Sequence, residues 1–418
     1  MKHVITILLF VVSFSAFTQT FTTGKPEDVG MSTTRLSKID KMVEEHMANK
    51  WIPGAVVLIA RNGKIVYHKA YGYADVDTKT VLKKDNIFRI ASQSKAITSL
   101  AVMMLYEDGR FGLDDPISKY IPEFKNPRVL VNLNWKDTTY TTAPAKSEIT
   151  IRQLLTHTSG IDYAGIGSQE FKAIYAKAGV VSGIGNDNMI LADKMKVLGG
   201  LPLKHNPGEA YTYSLSIDVL GYLVEVLSGM SFDQFLKTKI FTPLGMNDTY
   251  FYLPKEKHSR LVSLYELKDD KAISKVTSKI FDNVNPEYPT LEGKYYSGGA
   301  GLSSTVEDYA KFLQMFLNKG EYNGVRILSR KTVELMLTPQ LQPPITNQYG
   351  LGFGLETEKN DHLSIFSVGS FQWGGAFNTQ YWADPREKLV GLIYTNMYGG
   401  NRNTGDKFKV LTYQAITD

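Results

Sequence analysis

The chain has 418 residues, 43% hydrophobic and 21% charged, with a formal net charge of +5 and no cysteine. This composition excludes a disordered, fibrous or membrane-spanning protein and suits a globular chain long enough for two domains. Without cysteine there are no disulfides, no thiol catalysis and no cysteine-ligated metal, and the mild positive charge is not clustered as a nucleic-acid partner would require.

In chain order, the first feature is the apolar run Val4 to Phe17 behind Met1-Lys2-His3. It is short for a bilayer span and has the layout of a secretory signal cut near Ala16-Phe17-Thr18, the alternative being an uncleaved anchor. The expectation is an exported protein, periplasmic or secreted, with residues 1–18 outside the fold and no stable membrane insertion after cleavage. Leu36, Ile39, Met42, Val43 and Met47 then recur at helical spacing behind Ser32-Thr33, predicting a surface helix. Ala55 to Ala60 and Ile65 to Tyr67 flank Asn62-Gly63, a strong hairpin signal. The apolar run Ala96 to Leu105 predicts a buried helix, opened by Ser92-Gln93-Ser94-Lys95 and closed near Asp108-Gly109.

From Asp114 to Leu253 the predicted elements are helical: Ile151 to Leu155, Ser216 to Leu227 and Phe232 to Lys239. Between them lie Asn126 to Ser147 and Tyr163 to Asn188, long loops of the kind that line sites. Later come a helix over Val306 to Leu317, strand-like runs Leu363 to Val368, Thr379 to Trp382 and Leu389 to Tyr394, and a helix over Asp406 to Ala415. Strands at both chain ends with helices between them predict an α+β fold. Residues 19–113 and 255–418 would build an antiparallel sheet flanked by helices, residues 114–254 an inserted, mostly helical domain, and the cleft between them the ligand site.

Ser92 and Lys95 share one face of a helix. A dry site disfavours a bare ammonium, so Lys95 there can serve as base for a Ser92 nucleophile without histidine. The same residues also fit an N-cap and a solvated first-turn lysine, and the motif alone does not decide. A second proton carrier is needed for the leaving group. Tyr213, between the Pro207-Gly208 turn and a helix start, is the candidate, its alternative a ring packed on that helix. Oxyanion donors are best supplied by backbone amides, at Ser92 and in Phe371-Gln372-Trp373-Gly374-Gly375-Ala376, where paired glycines allow close approach. Trp373 is either a pocket wall or a core tryptophan. No G-x-S-x-G elbow and no H-E-x-x-H helix occurs, and the scattered histidines suggest no metal.

Together these residues resemble the penicillin-recognising serine hydrolases, in the branch of class C β-lactamases and family VIII carboxylesterases. Phe88 to Lys95 is similar to the nucleophile motif, Leu154-Leu155-Thr156-His157-Thr158-Ser159-Gly160 to the helical-domain signature, Tyr213-Ser214-Leu215 to the tyrosine motif, Gly298 to Thr305 to the glycine-rich segment, and Trp373-Gly374-Gly375 to the third motif. The resemblance implies a β-lactamase/transpeptidase-like fold, Ser92 as nucleophile, Lys95 and Tyr213 as general base and proton shuttle, and the amides of Ser92 and Ala376 as oxyanion hole. It treats His157 as structural and calls for no cofactor.

Two positions depart from the β-lactamase pattern. Leu215 stands where an asparagine binds the substrate amide, and Trp373 where a lysine or histidine holds a carboxylate. Losing a charge-assisted contact costs about 1.5–3 kcal/mol. With Leu215, Trp373, Gly374 and Gly375 lining the site, the expected substrate is a small or medium neutral carboxylic ester. A β-lactamase or D-stereospecific peptidase is the same-class alternative, and a non-catalytic binder of cell-wall ligands the other. Nothing in the sequence indicates an oligomeric state.

Overall fold

A computed structural model describes residues 20–181, 183–184, 189–268, 272–281, 283–399 and 403–418. The signal-like segment 1–18 and the end of the stretch reaching Asn188 lie outside them. The α-helices are α1 (Thr33–Ala48), α2 (Ser94–Glu107), α3 (Ile151–Leu155), α4 (Gln169–Lys177), α5 (Leu191–Gly199), α6 (Ser216–Ser228), α7 (Phe232–Leu236), α8 (Thr242–Leu244), α9 (Val306–Leu317), α10 (Arg330–Met336) and α11 (Thr404–Tyr413).

The Gly54–Arg61 strand is buried at every position because it runs through the middle of an eight-stranded sheet. The order is Thr22–Thr23, Lys64–Asp75, Gly54–Arg61, Leu389–Tyr394, Thr379–Asp384, Phe371–Gly375, Gly354–Leu355, with Thr80–Val81 paired to Lys64–Asp75. Only the Thr22–Thr23 pairing is parallel among these. Asn62 and Gly63 make the hairpin turn at φ of 51° and 73°, which their side chains tolerate. As the sequence predicts, the sheet joins both chain ends, Val56 to Tyr394 through Arg61 to Leu389.

Side-chain alternation then divides the strand between two cores. Val56, Leu58 and Ala60 face a large apolar cluster that takes in Ile97 and Leu100 of α2, Leu220 and Leu223 of α6 and Phe312 of α9. Ala55, Val57 and Ile59 face the opposite layer with Leu36 and Ile39 of α1, Phe408 of α11 and Trp382. Ser32 caps α1, its Oγ accepting from the Arg35 amide at 3.2 Å. α2 packs along α6, which ties the sheet to the helices that follow Ile151. No helix of the described residues is long and apolar enough to cross a membrane.

Four expectations are corrected. The stretch that begins at Tyr163 is not all loop but carries α4, Gln169–Lys177. The stretch from Asn126 to Ser147 is not all loop but holds a two-stranded hairpin, Arg128–Asn134 with Thr139–Pro144. Its strands lie on the surface and leave Val131 and Trp135 exposed, so no buried apolar run marks them. Leu363 to Val368 is not a strand: Leu363, Ile365 and Val368 are exposed, and only Phe366 turns inward onto Trp382. The sheet position there is taken by Phe371–Gly375, paired on both sides. Finally, Ser92 sits in a separate 3-10 turn, Ala91–Gln93, before α2 begins at Ser94.

The sheet centre gives a stability test. Gly391 is paired across from Trp382, and a Cβ at 391 would collide with the buried indole. Gly391→Val is expected to lower unfolding free energy by about 1–3 kcal/mol through overpacking, read as a lower urea midpoint at unchanged slope. An unchanged midpoint would show that the sheet centre is not packed this way.

Candidate active site

The nucleophile turn is held from both sides. Phe88–Arg89 pairs with Ser303–Ser304, and the Ile90 amide donates to Leu302 O at 3.1 Å. The chain then reverses at Ala91, whose φ of 42° is the left-handed region where a Cβ costs about 1–3 kcal/mol. Gln93 is fixed by two phenols: Tyr394 Oη donates to its Oε1 at 2.5 Å and Tyr309 Oη to its carbonyl at 2.9 Å. Ser94 Oγ accepts from the Leu302 amide at 3.1 Å. Ala91, Gln93, Ser94 and Lys95 are all buried, so Ser92 alone in this turn reaches the surface.

Lys95 is 1% exposed. Its Nζ donates to Gly299 O at 2.7 Å and lies 3.4 Å from both Ser92 Oγ and Tyr163 Oη. The ammonium also stands over the Tyr213 ring, 4.4 Å from its centroid, and 5.4 Å from that of Tyr163. A cation so buried is held by a carbonyl dipole and two aromatic faces. The same nitrogen, once it has given up a proton, is within reach of the serine hydroxyl as a base.

Tyr213 reaches the site by its ring. It stacks with Tyr163 at 5.8 Å, packs on His157 at 4.7 Å and meets Trp373 at 5.8 Å. Its hydroxyl is buried and has no hydrogen-bond partner among the described residues. The phenol in reach of Lys95 is Tyr163, which the sequence reading passed over. Burial, then the charge of Asp218, raises the Tyr163 hydroxyl well above its ordinary pKa.

His157 is fully buried and explains how the Tyr213 loop is held. The Ser214 amide donates to its Nδ1 at 3.2 Å, and the Thr212 amide to its carbonyl at 2.8 Å. Burial, followed by the charge of Lys95, pushes the imidazole well below its ordinary pKa. It is a neutral structural residue, as the resemblance implied.

The strand ending in Trp373-Gly374-Gly375 runs up against the nucleophile turn. A Cβ at Gly375 would collide with the Ile90 carbonyl, so only glycine lets the strand approach. Trp373 is half-buried between Tyr213 and Tyr349, and with Gly374 and Gly375 it lines a shallow groove that extends to Lys409. Ala376, just past the strand, shares with Ser92 a small apolar pocket of about 80 Å³ walled by Tyr163, Ile166, Phe281 and Ala300. Leu215 is a correction. It is fully buried in the main core and is not in that pocket, because it is the last residue before α6 and turns inward with the helix.

The structure thus brings together Ser92, Lys95, Tyr213, Trp373, Gly375 and Ala376. It adds Tyr163, Gly299 and Asp218. The signal for Tyr163 was its place at the start of a long polar stretch; a carbonyl acceptor such as Gly299 leaves no side-chain signature.

Comparison with known proteins agrees with this geometry. Residues 39–414 match the family described as Beta-lactamase. Protein Rv1367c of Mycobacterium tuberculosis is 32% identical over 359 residues, covering 82% of this chain and 85% of the relative. Esterase EstB of Burkholderia gladioli is 27% identical over 384 residues, covering 86% and 90%. Among solved structures, EstCE1, a hydrolase with promiscuous acyltransferase activity, superposes with a TM-score of 0.77 at 26% identity, covering 91% of this chain and 99% of that one. With its fold, its serine–lysine turn and nearly its whole described length accounted for, the chain belongs to the β-lactamase family.

Proposed function

We propose that this protein is a serine esterase that cleaves small or medium carboxylic esters through an acyl-Ser92 intermediate. The observation that carries the reading is the approach of a buried Lys95 Nζ to the accessible Ser92 Oγ at 3.4 Å. Lys95 takes the serine proton as Oγ attacks the ester carbonyl. The carbonyl oxygen, now charged, lies toward the backbone amides of Ser92 and Ala376. As the tetrahedral intermediate collapses, the alcohol leaves with a proton supplied from Lys95, relayed by the phenol of Tyr213 or the closer Tyr163. Water then enters, loses a proton to the same base, and releases the acid. No cofactor takes part.

Esters are favoured over β-lactams and peptides by Trp373, an uncharged ring where a carboxylate-binding cation would otherwise stand. The name of the relative Esterase EstB supports the same choice. The apolar N-terminal run supports export to the periplasm or medium, to be tested by sequencing the N-terminus of the mature protein.

Ser92→Ala is expected to abolish hydrolysis of p-nitrophenyl butyrate while leaving the melting temperature within a few degrees of wild type; near-normal turnover would reject Ser92. Tyr213→Phe and Tyr163→Phe separate the two phenols. The one that relays the proton should lose about two to four decades in kcat with a smaller change in KM. The other should lose much less, and two near-normal variants would remove the phenol relay.

The wild type should prefer p-nitrophenyl acetate or butyrate to nitrocefin by more than about two decades in kcat/KM. Trp373→Lys should narrow that gap by offering a cation to the β-lactam carboxylate. Efficient nitrocefin hydrolysis by the wild type would favour a β-lactamase instead.

A further inference from the structure

Asp218, on the first turn of α6, is fully buried beneath the site. Ser297 Oγ donates to its Oδ1 at 2.6 Å, while Oδ2 has no hydrogen-bond partner among the described residues. Oδ2 lies against Gly299: a Cβ there would sit on this oxygen and 3.4 Å from Tyr163 Oη. Gly299 is also the residue whose carbonyl accepts from Lys95 at 2.7 Å. One glycine therefore separates a buried carboxyl from the buried ammonium, and Ser297, which also accepts from the Ala300 amide at 3.1 Å, fixes both ends of that turn.

We propose that Asp218 is the positioning residue of the catalytic lysine: its carboxylate, held by Ser297, orients the Gly299 carbonyl and stabilises the ammonium that forms on Lys95 when Ser92 is deprotonated. The proposal rests on the reading of Lys95 as the base. It gives the serine–lysine pair a third member, as an activated nucleophile generally has. The groups facing Asp218 are Lys95 from α2, Tyr163 from the segment after α3, and Tyr295 and Ser297 before the glycine turn; Tyr213 and His157 also face Lys95. Burial raises the Asp218 carboxyl to about 6, against the Ser297 hydrogen bond and the Lys95 charge, which lower it. The Ser297 hydrogen bond and the Lys95 charge both favour its ionised form. Because the Lys95 charge favours the carboxylate, the carboxylate favours the ammonium by the same coupling.

The sign of the effect follows. Removing the negative charge takes away a partner of the ammonium, so the acid limb of Ser92 reactivity moves to lower pH. The plateau falls, because the ammonium of the transition state loses its partner. A merely structural role would move only stability.

The test is the rate of Ser92 modification by a fluorophosphonate as a function of pH, with the site mapped by mass spectrometry, for wild type, Asp218→Asn and Ser297→Ala. The expected result for Asp218→Asn is labelling still at Ser92, an acid limb displaced downward by about one pH unit, and a plateau lowered by about one decade. Ser297→Ala should displace the limb in the same direction by less, and it decides the matter if Asp218→Asn does not fold. Limbs that superpose on wild type, with Ser92 labelled, would overturn the role of Asp218 alone. Failure of the wild type to label at Ser92 would overturn the esterase reading, and this proposal with it.

Discussion

The structure turns on a single buried cation. Lys95 is almost fully removed from water, and its ammonium is held by one carbonyl, one phenol and the face of a tyrosine beside the serine hydroxyl. A charge in such a place is costly unless its partners are well placed. Those partners come from distant parts of the chain: Tyr163 follows α3, Tyr213 precedes α6, and Gly299 precedes α9. The fold is the means of bringing them to one point.

The supporting layers show how. The sheet joins both chain ends, so the Phe371–Gly375 strand arrives beside the turn that carries Ser92. α2 and α6 pack along each other, which places the Tyr213 loop over the Lys95 end of α2. Backbone strain at Ala91 is held by the anchored neighbours Gln93 and Ser94, whose hydrogen bonds reach Tyr309, Tyr394 and Leu302. Ser92 is thus the one residue of the turn left accessible. Preorganisation of this kind is what a serine without an ionised histidine needs.

Periodicity made the sheet and its flanking helices legible, since Gly54–Arg61, α1, α2 and α9 bury continuous or strongly one-sided apolar patterns. It failed where burial is slight. The Arg128–Asn134 hairpin lies on the surface, and Leu363 to Val368 has the composition of a strand but leaves Leu363, Ile365 and Val368 exposed. In the site, Ser92, Lys95, Tyr213 and the Trp373-Gly374-Gly375 strand were readable because their residue types and order resemble a known motif set. Tyr163, Gly299 and Asp218 were not, because their parts depend on distances across the fold. Leu215 shows the opposite limit: motif position suggested a substrate contact, and the turn into α6 buried it.

The central claim is that an ester leaves its acyl group on Ser92. Acid-quenched turnover of p-nitrophenyl butyrate, followed by peptide mapping, tests it most directly. The account predicts a burst of nitrophenol matching one equivalent of enzyme and a butyryl group on the peptide carrying Ser92. A butyryl group on another residue, or turnover that leaves no acylated peptide through the burst, would contradict it.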